Sequence, residues 1–599
     1  MTRCTMPLLL AVALAAPLTE ALADNDDRKC RARNDSVPTS LGASGWAAVD
    51  GPVTGGCSAG QKRVFHVRSR SDLVRALNND LLLLLDHFLP RVDFRTRHLL
   101  DHRPKIIYVH GTIDLNVDHK NRPLVEEDYM RMCNYTAHDT YYDPVTGDQT
   151  GSGGFFGAYK TEYDPNRWIR QSLDAADNRP PALSGPLEEA RICFQRAQAE
   201  RVMVDVGSNT SIIGVGTDAR IVNGGLRIGF MNQFDANDRD NYRAENVVVR
   251  NITFADAFDM FPGWDPKDSF SITITNTGGC QAAFDAATDS GPHKCVFRGG
   301  RWNTEYDSIS VMNAEAVWID HNSFTDEPRF DTQFPPVFAA PFNEATQKTA
   351  HHDGHVDVTL LATKVTISNN HFLRHDKGNL LGGSDVANLV PGYGPGQIDV
   401  TFHGNYYQNM IQRMPRVRFG RVHVYNNVFD GDRRQNAPNA AEYRLGDTWA
   451  TGTAAKLVTE NNLFDIINDT NLTIPRIINY ASTVASRDLC VSAGYSAAAC
   501  GTYYGDTGTW ITMRRQNGTN TATTLFDAFT ALAGIQDDSA SNAPLTKLDP
   551  ADPAVFWYPT RTYSYTLAPV DVPGDLVAAE ALRAKFRAGV IANAGAGKL

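Results

Sequence analysis

Six segments of this chain carry apolar residues at alternate positions and close on an aromatic: NVVVRNITF at Phe254, AVWIDHNSF at Phe324, KVTISNNHF at Phe372, IDVTFHGNYY at Tyr407, RVHVYNNVF at Phe429 and KLVTENNLF at Phe464. Alternation of this kind is the mark of a β-strand with one face buried. In five of the six an asparagine stands two residues ahead of the aromatic, at Asn322, Asn370, Asn405, Asn427 and Asn462. Successive aromatics are 70, 48, 35, 22 and 35 residues apart, which reads as one repeat of about 22 residues with loops of varying size added to most turns. Such a repeat restricts the fold to a solenoid, whose turns bury their apolar faces against each other. Stacked turns would line up the asparagines at one corner, where side-chain amides can satisfy backbone groups that the bend leaves unpaired. The expected fold is therefore all-β: a right-handed parallel β-helix with long loop insertions and a C-terminal extension.

The segments KIIYVHGTI from Lys105 and TSIIGVG from Thr210 add strands on the N-terminal side. Residues from about 115 to 200 break the pattern with Asp, Tyr, Gly and Pro and read as a loop excursion tied by Cys133 and Cys193. A second irregular insertion spans about 269–301. The extension from about 480 to 599 holds one amphipathic helix over 576–587. One β-helix domain over 24–599 is expected.

Residues 1–23 read as a secretory signal: Arg3, an apolar run over 6–16, and Ala21, Leu22 and Ala23 as a small-x-small site before Asp24. The apolar run is too short to span a bilayer. A secreted protein without a membrane span is expected, extracellular or periplasmic. Removal of Cys4 with the signal leaves Cys30, Cys57, Cys133, Cys193, Cys280, Cys295, Cys490 and Cys500, an even set that suits disulfides. Connectivity does not follow from spacing, but Cys280/Cys295 and Cys490/Cys500 each bracket a short polar loop and are the favoured neighbours. No pair has zinc-site spacing. A net charge of −11 and the absence of a long basic run exclude general nucleic-acid binding.

A local patch can still meet a polyanion. HHDGHVD places Asp353 and Asp357 four residues apart, RHDKGNLLGG carries Lys377, and QRMPRVRFG carries Arg413, Arg416 and Arg418. Paired carboxylates next to a basic cluster suit an enzyme that holds a divalent metal beside an anionic substrate. Asp307, Asp357 and Arg413 lie 17, 15 and 16 residues before the aromatics of their own turns, so they share an angular position. Two turns of stacking would set Asp357 and Arg413 roughly 10 Å apart along the axis. His321, His351 and His352 are expected to support packing or loop hydrogen bonds, and Trp264 to pack.

FPGWDPKD, WNTEYDSISV, VWIDH, HHDGHVD, VTISNNHFLRHDKGNLLGGSD and QRMPRVRFGRVHVYNN stand in the order and approximate spacing of the pectate lyase superfamily. GWA, TGG, PKIIYVHGTID and SNTSIIGVG extend the resemblance upstream, and WYPTRTYSY extends it downstream. It covers roughly residues 45–470 and part of the tail, apart from the two insertions. The resemblance implies the parallel β-helix reached above from the repeat, and calcium-dependent cleavage of polygalacturonate by β-elimination. It places calcium ligands on Asp307, Asp353 and Asp357, the catalytic arginine on Arg413, and substrate-carboxylate binding on Lys377 and Arg418. Glu305 could join an additional calcium that arrives with substrate. A monomer acting on polygalacturonate, with no nucleic-acid or membrane partner, is expected, and an arginine base implies an alkaline optimum.

Three other readings compete. A pectin lyase acting on methylated pectin should lack the calcium carboxylates, which are present here. A galacturonan hydrolase needs paired acid and base carboxylates, and its usual motifs are absent. A noncatalytic carbohydrate-binding β-helix would be favoured by loss of Lys377 or Arg413, and both are present.

Overall fold

The computed structural model describes residues 44–77, 100–142, 153–164, 183–231, 242–265, 271–275, 294–298, 300–334, 337–338, 349–433, 443–468, 478–515, 521–525, 542–548 and 576–598. Among these, three sheets of eleven, ten and eight strands run the length of the molecule. The chain visits them in rotation. Ile398–His403 lies in the eleven-stranded sheet, Tyr406–Gln412 in the ten-stranded sheet and Arg416–Val417 in the eight-stranded sheet; Gly420–Tyr425, Val428–Asp432 and Trp449–Thr451 then repeat the circuit. Strands of successive turns pair in parallel, so Val317, Val365, Val400, Val422 and Leu457 form one column of the eleven-stranded sheet. This is the right-handed parallel β-helix expected from the repeat. Both faces of each turn cannot be solvated, and the inward-pointing Val, Ile, Leu and Phe of every turn form one continuous buried core.

The bend from the eleven- to the ten-stranded sheet shows why asparagine recurs. The residue entering each bend, His321, Asn369, Gly404, Asn426 or Asn461, has φ of 53°, 51°, 65°, 55° or 50°. That left-handed conformation favours Gly and Asn, which explains the NN and GN pairs. The asparagine that follows is buried. Asn322, Asn370, Asn405 and Asn427 each donate from Nδ2 to Oδ1 of the next asparagine at 3.2, 3.1, 3.0 and 3.0 Å, ending on Asn462. Each also donates to a backbone carbonyl, such as Asn405 to Ile367 O at 2.9 Å. The expected ladder is therefore present. Two residues on, Phe254, Phe324, Phe372, Tyr407, Phe429 and Phe464 stack with centroids 4.7 to 5.3 Å apart.

The first insertion differs from the loop excursion expected. Its described residues include helices Glu126–Met132, Gly154–Glu162 and Pro186–Val202. They close a second core around Tyr129, Tyr141, Phe155, Tyr159 and Phe194, which joins Phe261, and Trp264 and Trp302 of a separate antiparallel strand pair. Alternating polar and aromatic residues hid these helices, because their buried face is aromatic and tertiary rather than a clean apolar stripe. The Cys133–Cys193 disulfide ties the insertion as expected, and Cys490–Cys500 closes the other short loop. In the second insertion Ser271–Thr275 and Lys294–Arg298 pair antiparallel. Cys280, Cys30, the signal segment 1–23 and WYPTRTYSY lie outside the described residues. The C-terminal helix runs Leu576–Asn593, longer than expected, and its Val590, with Ala594 just beyond its end, packs on Tyr406, Val428 and Leu463 of the ten-stranded sheet. Among the described residues no helix is long and apolar enough to cross a membrane.

Candidate functional site

The eight-stranded sheet gathers the acidic and basic motifs. Ile309–Met312 and Val356–Thr359 are neighbouring strands with Ile309 opposite Val356, so Asp307, two residues before its strand, sits level with Gly354. Gly354 in turn bridges Lys377, so three successive turns contribute to one point. Val358 pairs Leu381, and Leu381 pairs Val417. Because these three residues point into the core, Asp357 and Arg416, one position earlier, point outward, in one column and two turns apart.

The two innermost carboxylates are buried and held by donors. Asp307 Oδ1 accepts from Gly354 N at 2.8 Å and Oδ2 from Ser310 Oγ at 2.5 Å, while Asp357 Oδ1 accepts from Leu380 N at 2.9 Å. A Cβ on Gly354 would lie 2.2 Å from Asp357 Oδ1 and 2.8 Å from Asp307 Oδ1, so the missing side chain lets both carboxylates converge. Burial, followed by the charge of Asp353, pushes Asp307 up to about 7. Burial and then Asp307 and Asp353 push Asp357 well above the usual carboxylate range. Desolvation and mutual repulsion both disfavour the ionised pair, and a hard divalent cation among oxygen donors would offset both. These residues therefore fit calcium. Asp353 lies nearer the surface and accepts from Lys377 Nζ at 3.0 Å. Glu305 is exposed at the rim, with Asp353, Arg191 and Arg196 as charged neighbours.

The basic side is built at the next corner. Arg413 is held at φ 61°, a conformation that costs a non-glycine residue about 1 kcal/mol or more and concentrates at functional sites. Its carbonyl accepts from Asn379 N at 2.5 Å, and its own N–H donates to Asp447 Oδ1 at 3.4 Å. Asn379 is buried and serves as the brace. It donates from Nδ2 to Val356 O, accepts from Tyr407 Oη, and its carbonyl accepts from Arg416 N. One residue thus ties the strand of Asp357, through its side chain, to the corner of Arg413, through its backbone. Arg418 donates from Nη1 to Gly382 O at 3.1 Å and pairs with Asp385. Arg413 and Arg416 make no side-chain hydrogen bond to another described residue, and the buried Nε of each is without an acceptor.

Asp326, His355 and His375 form a tighter group than the three aspartates, with ligand-type atoms within 4.8 Å of one another. They lie inside the coil, where Asp326 and His375 engage each other, while the buried His355 Nε2 has no partner among the described residues. His375 contacts Asp326 Oδ1 through Nδ1 at 2.8 Å and Lys377 O through Nε2 at 3.0 Å. The group holds the backbone of Lys377 from beneath. His352 spans Asp331 at 2.6 Å and Asp256 at 3.0 Å, and His351 contacts Asp259 O and stacks on Phe258. His321 pairs with Asp320, and Trp264 packs on Phe338. All four side chains pack or brace, as their sequence context suggested. Gly354, Asn379 and His375 were not singled out from sequence. Their flanking motifs were visible, but the hydrogen bonds that give them their parts cross between turns.

The residues named from the motifs therefore gather on the outward side of the eight-stranded sheet and its bends: Asp307 and Asp353 just before their strands, Asp357 and Arg416 on them, Arg413 and Arg418 flanking Arg416, and Lys377 at the end of an adjoining strand of the ten-stranded sheet. A family model described as pectate lyase matches residues 182–285 and 291–522. The chain is 32% identical to a pectate lyase of Bacillus subtilis (strain 168) over 461 residues, covering 77% of this chain and 82% of the relative. The solved structure of a pectate lyase from Acidovorax avenae subsp. citrulli superposes with a TM-score of 0.69 at 33% identity, over 94% of this chain and 96% of the other. A pectate lyase bound to a hexasaccharide superposes with a TM-score of 0.59 at 29% identity, over 94% of this chain and 98% of the other.

Proposed function

The chain belongs to the pectate lyase family and is a polysaccharide lyase; from that premise we propose that it is a secreted, calcium-dependent enzyme that cleaves α-1,4-linked polygalacturonate to 4,5-unsaturated oligogalacturonides. The observation that carries the proposal is the grouping itself. Asp307 and Asp357 are buried against each other across Gly354, and further along lie Arg413 and Arg416, whose buried Nε atoms have no acceptor among the described residues.

β-Elimination breaks the C5–H bond and the bond from C4 to the glycosidic oxygen; the electron pair freed at C5 forms the C4=C5 double bond, and the oxygen leaves with the C4–O pair and takes a proton from water to become the new hydroxyl end. Calcium, when bound by Asp307, Asp353 and Asp357, supplies a Lewis acid for the uronate carboxylate, which makes the C5 proton more acidic. Lys377 and Arg418 hold substrate carboxylates, the lysine as a point charge and the arginine through its fork. Arg413 faces the C5 proton. A guanidinium is protonated in proteins, so Arg413 takes this proton either as a transiently neutral group or through a hydroxide that it positions. The fixed left-handed backbone at Arg413 and the Asn379 brace keep that group in place.

Incubation with polygalacturonate tests the assignment. A lyase yields oligomers with an ultraviolet-absorbing unsaturated end and no added water, whereas a hydrolase yields saturated oligomers carrying the mass of water. Saturated products, or none between neutral and alkaline pH, would overturn the reading.

A further inference from the structure

Arg416 is the member of the basic cluster that this reaction scheme leaves idle, and its surroundings are unusual for an idle residue. Its strand is two residues long, Arg416–Val417, with Val417 buried in the core and Arg416 on the outward side. The strand pairs with Leu380–Leu381 on one side and Ala450–Thr451 on the other. Arg413 and Arg418 flank it, and Asp357 stands in its column two turns back. The guanidinium makes no hydrogen bond to another described residue, and its Nε is buried. Asp385 and Asp447 are the carboxylates whose charge reaches it. Arg418 pairs with Asp385 at 3.1 Å, and Asp447 accepts from Asn479 Nδ2 at 3.1 Å, so both carboxylates are partly spent elsewhere. Burial, then Arg418 and Arg413, push the group down to about 10.

A surface arginine would turn to water, and a structural buried arginine would be paired, because an unpaired buried charge is destabilising. Arg416 is partly exposed, yet its buried Nε has no acceptor among the described residues, so the guanidinium is neither fully hydrated nor paired. We propose that Arg416 is a third carboxylate-binding cation of the groove, which takes the uronate carboxylate of a sugar adjacent to the one being cleaved. It is then a specificity residue as well: a methyl ester at that sugar removes the charge and one oxygen acceptor of the fork, leaving the guanidinium unpaired. The inference rests on the pectate lyase reading above and adds to it the sugar position at which esterification is rejected.

The test compares wild type, Arg416→Met and Arg416→Lys on polygalacturonate and on partly methyl-esterified pectin. Loss of a charge-assisted hydrogen bond should raise KM on polygalacturonate about tenfold in Arg416→Met, with kcat within about twofold. The preference of wild type for polygalacturonate over the esterified polymer should shrink by a similar factor, and Arg416→Lys should fall between. The unliganded methionine variant should melt no lower than wild type, since it loses a repulsive charge and no partner. A lower melting temperature with equal loss on both polymers, or an unchanged KM, would show a structural role and overturn the proposal. If wild type itself makes no unsaturated product, the functional reading fails, and this proposal fails with it.

Discussion

Lys377 donates from Nζ to Asp353 Oδ1 at 3.0 Å, which joins a cation proposed to hold substrate to one of the three carboxylates proposed to hold the metal. The pair is partly exposed, with side-chain exposures of 13% and 27%, so its worth is about 1 kcal/mol or less. Substitution of Lys377 by Gln should release Asp353 to the metal. Calcium affinity, measured by titration against a chelator of known strength, should rise up to about fivefold. Turnover on polygalacturonate should nonetheless fall by about tenfold or more, because the substrate loses a carboxylate partner. Weaker calcium binding in this variant would place Asp353 outside the metal site.

Gly354 is the narrowest point of the acidic group. It is not in the left-handed region, so alanine meets no backbone strain there, and the new Cβ bears on Asp357 Oδ1 and Asp307 Oδ1. Gly354→Ala should move the calcium midpoint of activity upward by about tenfold or more, since displaced ligands lose coordination geometry. The check is a calcium titration of initial rate at saturating substrate.

Asn405 occupies the middle of the corner ladder. Its Oδ1 accepts from Asn370 N and Nδ2, and its Nδ2 donates to Ile367 O and Asn427 Oδ1. Truncation to alanine leaves several buried groups unmatched and should lower stability by about 2 to 4 kcal/mol. Urea unfolding, with the midpoint falling and the slope unchanged, is the appropriate readout.

Acid stability should depend in part on Asp101. Burial pushes its carboxyl up, but hydrogen bonds from Arg103 and Arg63 and the charge of Lys105 outweigh that and bring it down to about 2. Its ordinary value is 3.8. The stabilisation is therefore complete above the ordinary value and is lost as pH falls through about 2. The group accounts for about 2 kcal/mol of that acid loss. Asp101→Asn should be less stable at neutral pH and should show a flatter profile between pH 4 and pH 2, followed by denaturant midpoints at fixed salt.

The coil was legible because its determinants are local and repeated. A left-handed corner favours Asn or Gly, the next amide must bond to its copy on the next turn, and the aromatic two residues on must stack. Each demand returns at every turn, so Asn370, Asn405, Asn427 and Asn462 announce it together. The acidic and basic motifs were legible for a related reason, since charged residues at one angular phase of a solenoid share a face. The phase was slightly misassigned: the register puts Arg416 in the column of Asp357, while Arg413 stands at the bend three residues earlier. The helices of the first insertion were not legible, because Tyr129, Tyr141, Phe155 and Phe194 meet only in the folded state. Asn379 and His375 escaped notice because the bonds that make them braces join residues on different turns.

Initial rates of unsaturated-product formation from polygalacturonate, with chelator and after calcium is restored, test the central claim most directly. The account predicts that wild type loses its ultraviolet signal in chelator and regains it with calcium. It also predicts that Asp357→Asn shows little signal in either condition and that Arg413→Lys remains slower by about two orders of magnitude or more at saturating calcium. A wild-type signal insensitive to chelator, or an Arg413→Lys variant that keeps most of its turnover, would contradict it.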